Sequence, residues 1–100
     1  MKKEKINSSE ENQFEDYLSN RYRYKLIVHN DDVNTFKHVI VTLMHICQHD
    51  EVQAEQCAML VHYKSKCVVK TGGETELEFM KERLAANNLT VTVEKVGNNE

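Results

Sequence analysis

Tyr24-Lys25-Leu26-Ile27-Val28-His29-Asn30-Asp31-Asp32 is the stretch from which the fold reads outward. Its first six residues alternate, with Tyr24, Leu26 and Val28 on one side and Lys25, Ile27 and His29 on the other. That period of two marks a half-buried strand and predicts one over 23–29. An amide and two carboxylates follow, just before a helix-like run that starts at Phe36. Such a triplet is either a turn whose side chains bond their own backbone or a set of acceptors converging on a cation. Taken alone, Asn30, Asp31 and Asp32 favour the turn.

Downstream, Asn34 has the chemistry of an N-cap, and Val39, Ile40, Leu43, Ile46 and Cys47 recur at helical spacing, which predicts a first helix over 35–48. Asp50 and Gln53 have the spacing of a capping box, so a second helix is expected over 51–63 with the apolar stripe Ala54, Cys57, Ala58 and Val61. His62 falls on the flank of that stripe. A short strand is expected over 66–70, broken by Thr71-Gly72-Gly73. Thr75 and Glu78 offer another capping box, and Leu77, Met80 and Leu84 mark a third helix ending near Asn87 and Asn88. Leu89, Val91 and Val93 then alternate with Thr90, Thr92 and Glu94 in a last strand. The order βααβαβ predicts an α+β class, a small sandwich of a three-stranded antiparallel sheet with three helices on one face.

One hundred residues with no proline, three glycines and 40% hydrophobic content are expected to form one modest core. The domain is expected over 23–96, after a polar, disordered extension at 1–22 and before a short polar tail at 97–100. A net charge of -3 offers no basic field for a nucleic acid. No run approaches the ~20 apolar residues of a membrane helix, and none follows the N-terminal lysines as in a signal peptide. Cys47, Cys57 and Cys67, odd in number and set in apolar runs, are read as reduced core residues of a cytoplasmic protein.

No serine sits in a nucleophile elbow, no glycine-rich phosphate loop is present, and no cysteine has an obvious partner base, so no enzymatic activity is expected. His38, His45 and His49 are seven and four residues apart, with Thr42 between them. Two imidazoles at i and i+4 can hold zinc, but this stripe lies about 120° from the apolar face, where a solvated surface is the better reading. No metal or cofactor is expected. Near Asn30 and Asp31, however, His62 would complete a set of three acceptors, which suits an ammonium group.

These pieces together resemble the ClpS family, adaptors that bring proteins with destabilising N-terminal residues to a Clp AAA+ unfoldase for degradation. The likeness rests on the 24–32 stretch, Val39, Val61-His62-Tyr63 before Lys66, and Thr92-Val93-Glu94-Lys95, and it spans roughly 24–95. It implies a monomeric, non-enzymatic adaptor whose partners are a Clp-family ATPase and substrates with a free, bulky hydrophobic first residue. By the same resemblance, Asn30 and His62 hydrogen-bond the substrate's α-amino group and Asp31 orients the peptide end. Phe36, Val39, Ala58 and Val61 line the apolar pocket, with Phe36 at a gatekeeper position where the family usually carries methionine. The chain departs from the family pattern at Asn34-Thr35-Phe36 (usually Thr-Pro-Met), at Ser65 (usually glycine) and in a shortened 70–78 segment. These departures motivate an alternative, the same fold used as a peptide-binding module or Clp ATPase modulator with an altered ligand.

Overall fold

The computed structural model describes residues 23–96, so the extension expected at 1–22 and the tail at 97–100 lie outside the described residues. Six elements follow in order: β1 (Tyr24–His29), α1 (Phe36–Ile46), α2 (Glu51–Lys64), β2 (Lys66–Gly72), α3 (Glu74–Ala86) and β3 (Thr90–Lys95). The expected class and order are borne out. The strands form one sheet in the order β2-β1-β3, and β1 pairs antiparallel with both neighbours. Leu26 and Val28 of β1 join Val39 and Leu43 of α1, Ala54, Cys57, Ala58 and Val61 of α2, and Leu77 and Leu84 of α3 in one core. All three helices therefore pack on the same face of the sheet, and α2 buries the stripe read from the sequence.

Ile27, expected on the polar face of β1, is only 1% exposed. As a central-strand residue it lies between Val68 and Thr92, and His29 bonds Thr92 across the sheet at 2.7 Å. Val68 and Thr92 on the neighbouring strands flank it on that face. A register shift between Leu26 and Ile27 leaves Val69 as an extra residue in β2. The His49 ring N–H donates to the Val69 carbonyl at 3.1 Å, giving the bulge a partner outside the ladder.

Several boundaries differ from expectation. The N-cap of α1 is Thr35, whose hydroxyl accepts from the His38 N–H at 3.0 Å, so Asn34 does not cap the helix. Asn34 is instead drawn into the preceding turn by Asp31. The strand β2 continues through Thr71 and Gly72, which pair with Lys25 and Tyr24. That pairing places the next helix start at once after it, with Gly73 as a cap making no side-chain bond. The Thr75–Glu78 capping box is therefore not formed, because Thr75 is already inside the first turn of α3. A Cβ at Gly72 would stand 3.0 Å from the Glu76 carboxylate, the exposed end of a flexible side chain that can move aside.

Cys57 and Cys67 are paired as a disulfide, with Cα atoms 5.7 Å apart, which corrects the expectation of three reduced thiols. Both face the core, one from α2 and the other from the second residue of β2, so they meet although they lie ten positions apart in the chain. Cys47 is free and buried, and burial raises its thiol pKa to about 11 against the opposing pull of Lys70 and Arg83.

Candidate functional site

At the end of β1 the chain turns sharply, and the Asp31 carboxylate organises the turn. One oxygen accepts from the Val33 and Asn34 N–H groups, each at 3.0 Å. The Asn34 amide donates to both oxygens at 3.1 and 2.9 Å, and the Thr90 hydroxyl donates to the second at 2.9 Å. Burial alone would raise the Asp31 pKa. The donors from Asn34, Thr90 and Val33 outweigh that effect and hold it below the usual carboxylate value. The Asn34 amide also donates to the Asn88 carbonyl at 2.7 Å, which ties the turn to the α3–β3 connection.

The second wall is the end of α2. That helix starts at the expected box, with Gln53 N–H donating to Asp50 at 2.7 Å and Asp50 N–H donating to the Gln53 side chain at 3.0 Å. It stops at Ser65, whose backbone is left-handed at φ 83°. The Ser65 carbonyl accepts from the Asn30 N–H at 2.8 Å. This bond carries the last turn of α2, with Val61 and His62, to the edge of the β1 turn.

The result is a depression lined by His29, Asn30, Asp31, Asn34, Val39, Val61 and Leu89. Val39 and Val61 supply its apolar wall at 6% and 5% exposure. The Asn30 side chain is exposed and takes no hydrogen bond among the described residues, so its amide is open to a ligand. One turn before Val39, Phe36 meets His62 edge-on, with ring centroids 6.5 Å apart. His62 in turn stacks edge-on with Tyr63 at 4.6 Å. Ala58 is fully in the core beneath Val61 on the α2 stripe, 2% exposed.

The structure thus brings Asn30, Asp31, Asn34, Val39 and Val61 around one depression, with Phe36 and His62 alongside and Ala58 in the packing below. Its volume, about 20 Å³, is that of a water site. A cavity of ~150 Å³ is what holds a benzene ring, so a large side chain enters only if the walls move. Sequence reasoning missed His29, Leu89 and Thr90. The alternation that continues into 89–94 was the signal for the last two, but their partner across the sheet is set by register, with His29 opposite Thr90.

The histidines expected as one solvated stripe are dispersed. The His38 ring N–H donates to the Asn87 carbonyl at 2.8 Å, His49 serves the β2 bulge, and Thr42, expected in the solvated stripe, is buried at 5% exposure. Among the described residues no three His, Cys, Asp or Glu side chains are grouped to hold a metal ion. No helix among them is long and apolar enough to cross a membrane.

Comparison with known proteins places these features. The family model described as ATP-dependent Clp protease adaptor protein ClpS matches residues 19–95. The ATP-dependent Clp protease adapter protein ClpS of Thermosynechococcus vestitus is 38% identical over 69 residues, which cover 68% of this chain and 73% of that protein. In fold, the chain is similar to Agrobacterium tumefaciens ClpS2 bound to L-phenylalaninamide, with a TM-score of 0.70 and 23% identity over 75% of this chain and 98% of that one. The chain belongs to the ClpS family of ATP-dependent Clp protease adaptor proteins.

Proposed function

We propose that this Clp protease adaptor binds the free, bulky hydrophobic N-terminal residue of substrates at the Asn30–His62 depression and presents them to a Clp AAA+ unfoldase. The observation that carries the reading is the Ser65–Asn30 backbone bond, which sets the open amide of Asn30 beside the apolar Val39 and Val61, with His62 next in the chain at the rim against Phe36. An α-ammonium brings three donors and a positive charge. The Asn30 amide oxygen and a His62 ring nitrogen accept from it, while Asp31, its carboxylate committed to the turn, contributes charge and holds Asn30 in place. The first side chain then packs on Val39 and Val61, a burial worth ~2 kcal/mol. The ClpS2 of similar fold holds L-phenylalaninamide, a free amine next to an aromatic side chain, which supports the same ligand chemistry here. Phe36, 44% exposed, has room to swing outward as the ligand enters.

The small volume of the depression favours a second reading, a retained fold with an altered peptide ligand. Fluorescence anisotropy separates the two, using matched peptides that begin with Leu, Phe, Trp, Ile or Met, each with a free or acetylated N-terminus. The first reading expects binding of free Leu and aromatic peptides that is lost on acetylation, and a loss of about tenfold or more for Asn30→Ala or His62→Ala. Binding that ignores acetylation, or survives both substitutions, selects the second.

A further inference from the structure

The Cys57–Cys67 disulfide encloses every residue that α2 and its cap bring to the candidate site: Ala58, Val61, His62 and Ser65 all lie between the two cysteines. Its two ends are anchored on different walls. Cys57 stands one helical turn before Val61 on the buried stripe of α2, so the two side chains share a face. Cys67 lies opposite Val28 in the β1–β2 ladder, two residues before Asn30. The link therefore ties the Val61 wall of the depression to the strand that leads into its polar wall.

That tie limits how far the walls can part. The Cα atoms of the pair are 5.7 Å apart, and a disulfide seldom spans more than about 6.8 Å, which leaves this part of α2 about 1 Å of outward travel. The depression, at about 20 Å³, has room for a water and not for a ring, which takes ~150 Å³. Outward movement of α2 is what the covalent link opposes. Cys47 takes no part in it, being buried with its Sγ directed to Met80 Sδ at 3.7 Å.

We propose that the disulfide is a redox lock on the depression: oxidised, it holds α2 in and excludes bulky first side chains; reduced, it lets that wall move and admits them. The proposal rests on the ligand reading above. The reductant is a dithiol. Its thiolate attacks Sγ of Cys67, which lies on the edge strand β2 at 9% exposure, against 3% for Cys57. A mixed disulfide forms as the Cys57–Cys67 bond breaks, and Cys57 leaves as a thiolate that takes up a proton. The second reductant thiolate then displaces Cys67. The reductant ends as a disulfide, having given two electrons and two protons to the two protein thiols. By linkage, a ligand that prefers the reduced protein favours reduction by the same factor.

The test is fluorescence anisotropy of a labelled peptide with a free N-terminal Phe, against the full chain kept oxidised or reduced with dithiothreitol. Thiol titration verifies one free thiol in the first state and three in the second. The lock expects the reduced protein to bind about fivefold or more tightly than the oxidised one. Cys67→Val, which cannot form the link, should bind like the reduced protein with or without dithiothreitol. A second readout needs no ligand. Methyl resonances of Val39 and Leu89, which line the depression from outside the closed ring, shift on reduction while those of Leu84 stay in place. If no peptide binds in either state, the ligand reading fails and the methyl shifts alone judge the lock. Equal or weaker binding by the reduced protein, a Cys67→Val affinity that responds to dithiothreitol, unmoved Val39 and Leu89 methyls, or loss of the folded circular dichroism on reduction would each overturn the proposal.

Discussion

Asp31 illustrates how one side chain can be shared between a site and the structure that holds the site. Its carboxylate accepts from Val33, Asn34 and Thr90, so the residue proposed to orient the peptide end also closes the loop locally. Asp31→Asn removes the charge and presents an NH2 to groups that are themselves donors. The expected cost is about 1–2 kcal/mol at neutral pH, read from urea unfolding. Because the folded pKa lies below the ordinary aspartate value of 3.8, the stabilisation is fully present above that value and disappears as the pH falls through the lower folded one. The wild-type and Asp31→Asn stabilities therefore stay a constant distance apart above about pH 5 and converge at lower pH. A gap that widens on acidification would show that the carboxylate is not held by these donors.

At the level of single elements, the helix ends set the site. Thr35 satisfies the first turn of α1, so Thr35→Ala is expected to cost about 1 kcal/mol and to loosen the turn that carries Phe36. Asn34→Ala leaves that cap intact and instead cuts the links to Asp31 and Asn88. Its thermal melt should show a loss while the α1 amides keep their hydrogen-exchange protection, unlike those of Thr35→Ala. Ser65 ends α2 in the left-handed region at φ 83°, where a Cβ is costly. Ser65→Gly is expected to stabilise by about 0.5–1 kcal/mol in thermal melts. The gain is the relief of strain less the extra freedom of glycine in the unfolded chain, so it is small. Since the Ser65 carbonyl is retained, the bond to Asn30 and peptide binding should be unchanged.

Over the whole molecule, the core and one covalent link hold α2 against the sheet. Leu43 is completely buried where the helices meet, and Leu43→Ala should cost about 2–5 kcal/mol in denaturant unfolding, enough to threaten folding of so small a domain. The Cys57–Cys67 link closes a short loop between α2 and β2, and its reduction is expected to lower stability by about 2–3 kcal/mol. Thiol titration checks the link directly. The native protein should react slowly at neutral pH, because Cys47 is buried and its pKa is raised to about 11. Denaturation without reductant should then release a single thiol; three would show that Cys57 and Cys67 are not joined.

Alternation in 24–29, the Asp50–Gln53 box and the stripe Ala54, Cys57, Ala58 and Val61 are local in the chain, and each was legible because strand period, capping and helical period depend on residues within a few positions. Their order was enough for the α+β class, while the choice of the β1 turn and the end of α2 as the candidate site rested on the family resemblance. What local pattern could not supply was competition between partners. Asn34 and Thr35 are both competent caps, and the choice of Thr35 follows from Asp31 and Asn88 capturing the Asn34 amide. The extent of β2 and the loss of the Thr75 box follow from pairing with Tyr24 and Lys25 on another strand. Cys57 and Cys67 looked like independent core residues until packing put their Cα atoms 5.7 Å apart. Elements and their order were written in neighbouring residues, because backbone conformation responds to nearby side chains. The partner of each cap, cysteine and carboxylate was decided by tertiary structure, because Thr90 reaches Asp31 across 59 residues through a strand register that no local period encodes.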